Sequence, residues 1–97
     1  MSLQGHRWRK LRAEYKNQCR HANAPCWLDG QPIDYDAPPH SAFAFEIDHA
    51  LPRITHPELA YAMANFRPSH AACNRARGYK PATRVVTRAQ RWKQASW

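Results

Sequence analysis

Glu46-Ile47-Asp48-His49 and, further along, His70-Ala71-Ala72-Cys73-Asn74-Arg75-Ala76-Arg77-Gly78 bound the stretch that organises this chain, with Asn65 between them. Residues 43–48 alternate: Phe43, Phe45 and Ile47 point one way and Ala44, Glu46 and Asp48 the other, the pattern of a half-buried strand with acids on its polar face. Leu51-Pro52-Arg53 predicts a return as the second strand of a hairpin. Thr55-His56-Pro57-Glu58 has the form of a capping box with Pro in the first turn. It predicts a helix burying Leu59, Met63 and Phe66. Arg67-Pro68-Ser69 leads into a further helix ending at Gly78 as C-cap. There His70, Cys73, Asn74 and Arg77 recur at i, i+3, i+4 and i+7, on one face.

These residue types carry chemistry. An Asp-His pair at a strand end can offer a carboxylate to a hard divalent cation and a neutral imidazole to a proton. Asn74 adds a side-chain oxygen for the same cation. Glu46, on the strand face of Asp48, can reach that cation through water or pair with an arginine such as Arg77. His70-x-x-Cys73 is a softer pair, suited to zinc. Cys26 is the natural third ligand and Asp29, three residues on, the fourth, with Cys19 and His21 as substitutes. The alternative is that Cys26 and Cys73 pack as small apolar side chains. An odd number of cysteines and the His-x-x-Cys spacing favour a metal clip over a disulfide, leaving Cys19 as a free thiol.

Charge points to the partner. The chain has 15 Lys and Arg against 7 Asp and Glu in 97 residues, a formal net charge of +8. Such an excess favours a polyanion, and several of the seven acids gather around the candidate site, leaving the N- and C-terminal thirds strongly basic. Residues 7–18 predict a helix with Trp8, Leu11 and Tyr15 on one stripe and Arg9, Lys10 and Arg12 among its polar residues. Cys26-Trp27-Leu28-Asp29-Gly30 reads as a tight turn, followed by a proline-rich irregular segment. Residues 79–86 read as extended, and 87–97 as a short basic helix with Arg88 and Arg91. The length predicts one small α+β domain of 1–97: basic helix 7–18, core 26–78, basic tail 79–97. Without a membrane-length apolar run or a leader pattern, the expected compartment is the cytoplasm.

Together these stretches resemble the HNH nuclease family. The likeness rests on Phe45-Glu46-Ile47-Asp48-His49, Leu51-Pro52-Arg53, Asn65 and His70-x-x-Cys73-Asn74-x-x-Arg77-Gly78, and covers about residues 7–78. Cys26-Trp27-Leu28-Asp29-Gly30-Gln31-Pro32-Ile33 resembles the Cys-x-x-Cys-Gly-x-Pro-Ile turn of many phage members, with Asp29 where those have a second cysteine. The resemblance implies a ββα-metal (His-Me finger) fold and a DNA endonuclease leaving 5′-phosphate and 3′-hydroxyl ends. It makes His49 the general base, Asp48 and Asn74 the ligands of a catalytic Mg²⁺, Mn²⁺ or Ni²⁺, and Asn65 the brace of the loop. Arg9, Lys10, Arg12, Arg53, Arg75, Arg77, Arg88 and Arg91 are then the candidate contacts to double-stranded DNA. Small phage enzymes of this kind have the large terminase subunit and the portal protein as partners, which implies the host cytoplasm. A restriction-type enzyme, a ribonuclease and a silent zinc-stabilised nucleic-acid-binding module are the competing expectations.

Overall fold

The computed structural model describes residues 5–78. The element order is α1 (Gly5–Ala22), β1 (Phe45–His49), 3₁₀ turns at Pro57–Leu59 and Met63–Asn65, β2 (Phe66–His70) and α2 (Ala71–Arg77). This is a small α+β arrangement of two helices and one two-stranded antiparallel sheet. Both tail segments and the residues Arg88 and Arg91 lie outside the described residues. No helix among the described residues is long and apolar enough to cross a membrane.

Helix α1 covers the predicted segment and continues to Ala22. It ends where Asn23 takes a φ of +54°, a conformation asparagine tolerates, with Ala24 N–H returning to the Cys19 carbonyl at 2.9 Å. Trp8, Leu11 and Tyr15 pack against the core as their stripe predicts, and Cys19 extends it as a buried free thiol. The Tyr15 hydroxyl donates to the Phe66 carbonyl at 3.0 Å, pinning the helix across β2.

The strands pair in the register Phe45 with His70, Ile47 with Pro68 and His49 with Phe66. Phe45 and Ile47 face the core, which also holds Cys19, Cys26, Leu28, Ile33, Tyr35 and Phe66. Phe43 does not join them: it precedes the strand and is 67% exposed. Pro68 is tolerated because a two-stranded sheet has only edge strands. Its carbonyl accepts from Trp27 N–H at 2.9 Å, which lays the Cys26 turn along β2.

Three local expectations are corrected. The partner of β1 is Phe66–His70, not Leu51–Arg53. The Asn65 side chain takes both backbone groups of Leu51, accepting its N–H at 2.9 Å and donating to its carbonyl at 3.0 Å, and Pro52 has no N–H to give. No ladder can form from such residues. The capping box does not start a long helix either. The Thr55 hydroxyl lies 3.2 Å from the Pro52 carbonyl and 2.8 Å from His56 Nδ1, so it turns backward, and only the Pro57–Leu59 turn follows. Without its cap a short helix does not repay the cost of nucleation. Finally, residues 66–70 are strand, so His70 stands at the end of β2 as the residue before α2.

Candidate functional site

Two clusters flank the β2–α2 junction. The first is Cys26, Asp29, His70 and Cys73, whose ligand atoms all lie within 4.8 Å of one another. Asp29 Oδ2 stands 3.3 Å from His70 Nδ1 and 3.4 Å from Cys73 Sγ, and Cys73 Sγ is 3.6 Å from His70 Nδ1. A tetrahedral metal centre with bonds of about 2.0–2.3 Å has edges of about 3.3–3.8 Å, so these separations fit one.

Three of the four candidate ligands are aimed by a further contact. His70 Nε2 lies 2.7 Å from the Pro32 carbonyl. A carbonyl only accepts, so Nε2 carries the proton and Nδ1 presents its lone pair to the cluster, as in metal-bound histidines. Asp29 Oδ1 accepts from Gln31 N–H at 2.9 Å, leaving Oδ2 for the site. Gly30, at φ +75°, closes this turn, and its N–H reaches the Cys26 carbonyl at 2.8 Å. His70 N–H points at Cys26 Sγ from 3.4 Å.

The electrostatics of the group disfavour added negative charge on the thiols. Burial, and then the proximity of Cys26 and Asp29, push the Cys73 thiol up to about 12. Burial raises the Cys26 thiol as well, against the pull of the backbone N–H groups of His70, Asp29 and Leu28. Burial would also raise Asp29, but the Gln31 amide and His70 outweigh it and hold the carboxyl below its ordinary value. A dication held by these four residues would offset this crowding and favour the thiolate forms. The group can hold a metal ion with the four residues read from sequence. Cys19 is buried in the core, outside this cluster.

The second cluster lies on the α2-facing side of β1. Asp48 is 5% exposed. Its Oδ2 accepts from Trp27 Nε1 at 2.9 Å and Arg77 Nη1 at 2.8 Å. Arg77 also donates to the carbonyls of His49 at 2.9 Å and Ala50 at 3.1 Å, and its guanidinium lies 5.2 Å from the Trp27 ring centroid. Arg77, predicted at the nucleic-acid surface, is therefore buried and committed to the strand end. Glu46 is joined to α2 differently: its Oε1 accepts from Asn74 Nδ2 at 2.8 Å, and Oε2 is 3.9 Å from Arg75. Asn74 Nδ2 also meets the Ile47 carbonyl at 3.4 Å. Both partners only accept, so the amide nitrogen faces the strand and Oδ1 points away from it.

His49 sits on the other side of the strand end. It is 9% exposed, with Nε2 3.0 Å from the Ala60 carbonyl. The same argument puts the proton on Nε2 and the lone pair on Nδ1. Burial lowers the pKa of this imidazole below 6.5, and the positive charges of Arg53 and Arg77 add to the effect. Trp8 stacks on its ring and Phe66 meets it edge-on.

Of the predicted nucleic-acid contacts, Arg9, Lys10, Arg53 and Arg75 are exposed. Arg12 is partly buried: its Nη2 reaches the Phe45 carbonyl at 3.3 Å, and its guanidinium lies 5.4 Å from the Phe45 ring. The sequence reading missed Trp27 as a partner of Asp48 and Trp8 as a partner of His49. No local spacing signals either, because both reach the strand from distant turns and helices. Glu46, read from sequence as reaching the cation through water or pairing with an arginine such as Arg77, is paired instead with Asn74 and Arg75. Neither family models, nor curated proteins, nor solved structures give a match to this chain.

Proposed function

We propose that this chain is a metal-dependent DNA endonuclease of the HNH type, its sheet and α2 forming a ββα-metal core. The observation that carries the reading is the contact of His49 Nε2 with the Ala60 carbonyl. With Nε2–H held by the Ala60 carbonyl at 3.0 Å, Nδ1 is the lone pair, and burial keeps the ring neutral near pH 7. That is the state a general base needs to take a proton from water. Asp48 and Asn74 supply hard oxygen donors, with Asn74 Oδ1 left for a ligand because Nδ2 is bound to Glu46 and Ile47. They would hold the divalent cation, which when bound offsets charge on the phosphate and the leaving oxygen. Asn65 braces the loop after the base through its two bonds to Leu51.

In this reading Cys26, Asp29, His70 and Cys73 hold a structural zinc, joining the N-terminal turn to α2. Exposed Arg9, Lys10, Arg53 and Arg75 grip the DNA backbone. A role in phage DNA packaging, beside a large terminase subunit and a portal protein, belongs to the same proposal.

A second reading, a zinc-stabilised nucleic-acid-binding module without catalysis, is favoured by the Arg77 contact, which already neutralises Asp48. One assay separates the two. Supercoiled plasmid incubated with the protein and Mg²⁺, Mn²⁺, Ni²⁺ or Zn²⁺ in turn is nicked or linearised if the chain is a nuclease. His49→Ala then abolishes the products. Binding without cleavage under every metal leaves the module.

A further inference from the structure

His49 is held by more than its hydrogen bond to the Ala60 carbonyl. An imidazole on a single carbonyl still turns about its second side-chain torsion, which is broad for a ring on a methylene. Here two aromatic rings fix the plane. Trp8 from α1 stacks on it with centroids 6.0 Å apart and planes 22° apart. Phe66 from β2 meets it edge-on at 5.4 Å and 79°.

Trp8 also packs beside the other end of the bond, on the residue that follows the acceptor. Its ring packs edge-on against Tyr61 at 6.2 Å, and Tyr61 follows Ala60, whose carbonyl accepts the His49 proton. The Arg7 guanidinium caps Tyr61 from 4.2 Å, so two consecutive residues of α1 grip this segment. Trp8 is itself seated by an edge contact to Phe66 at 5.6 Å. One indole therefore contacts both the donor ring of the His49–Ala60 bond and the neighbour of its acceptor.

We propose that Trp8 is a positioning residue: stacked on His49 and packed on Tyr61, it holds the imidazole with Nε2 toward Ala60 and Nδ1 free for a proton. The functional part rests on the nuclease reading. The structural part, a ring orientation imposed by α1, does not. Helix α1 then has a second task besides carrying basic residues: it completes the site on which the sheet places His49.

The test uses the full chain and three variants. Trp8→Leu keeps apolar bulk but removes the ring, Trp8→Phe keeps a stacking ring, and Leu11→Ala loosens the packing of α1 elsewhere. Imidazole nitrogen NMR reads the His49 tautomer, and plasmid cleavage gives kcat and KM. In the parent and in Trp8→Phe, His49 is in the single Nε2–H form. In Trp8→Leu the two tautomers mix and kcat falls ~10- to 100-fold with little change in KM, the cost of a misplaced group. Leu11→Ala lowers the melting temperature while leaving tautomer and kcat as in the parent. A single Nε2–H form in Trp8→Leu overturns the proposal, as does equal loss of that form in Leu11→Ala. If the parent cleaves no DNA, the nuclease reading falls, and the tautomer alone decides the role of Trp8.

Discussion

Arg77 and Asp48 form an ion pair of 2.8 Å with side chains only 4% and 7% exposed. It ties the end of α2 to the end of β1, the two elements that meet at the second cluster. Arg77 also donates to the carbonyls of His49 and Ala50, so the pair also sets the backbone beside the candidate base.

Breaking that pair strands a buried charge. Arg77→Met is expected to lower unfolding free energy by ~3–5 kcal/mol, because among the described residues Asp48 then keeps Trp27 as its hydrogen-bond partner. Chemical denaturation of the two proteins measures it. A change within about 0.5 kcal/mol, typical of a surface site, would mean that Asp48 finds water in place of Arg77.

His49→Ala is expected to fold and to bind DNA, while cleavage falls by ~10²–10⁴-fold, the usual loss for an acid–base group. Asp48→Ala and Asn74→Ala are expected to weaken Mn²⁺ binding in calorimetry as well as rate. Unchanged binding in both would locate the cation elsewhere.

The lowered pKa of His49 has a pH signature. Its folded value lies below the ordinary 6.5, so near and below that pH the unfolded chain takes up a proton that the folded chain refuses. Stability from this group is complete above pH 6.5 and is lost as pH falls towards the folded value. The stability advantage of the parent over His49→Gln is therefore expected to shrink between pH 7.5 and pH 5.5. Urea midpoints at the two pH values test this, and a constant difference would contradict it.

For the four-residue centre, metal analysis of protein purified without chelator is expected to find about one zinc per chain. Cys26→Ser should release the metal and lower the melting temperature, since binding energy at such a site is folding energy. Asp29→Cys should tighten binding by exchanging a hard oxygen for a thiolate. Protein that carries no zinc and melts alike with Cys26→Ser would leave the two cysteines as packing groups.

If the grip on DNA is electrostatic, affinity should fall steeply with salt. Reversing the charge of exposed Arg9 and Lys10 should weaken binding to all sequences alike and flatten the salt slope by about one unit per lost phosphate contact. A salt-independent affinity argues against a backbone grip.

The sequence alone determined the class of structure and the residues of the metal-capable group. Alternation marked Phe45 and Ile47 as core and Glu46 and Asp48 as the opposite face, because a strand has a period of two whatever surrounds it. The Cys26, Asp29, His70 and Cys73 set was legible because ligand types and short spacings are local properties. Tertiary structure decided what local signals could not carry. Phe66–His70 became a strand because pairing with β1 buries Phe66, while Asn65 withdrew Leu51 from any ladder. Arg77 turned inward because the Asp48 carboxylate and two strand-end carbonyls needed a buried donor, a demand that exists only once α2 lies on β1. The seat of His49 is likewise a product of packing. Its ring is ordered by Trp8 and Ala60, which the chain brings to it from opposite directions, and no pattern in the intervening residues records that meeting.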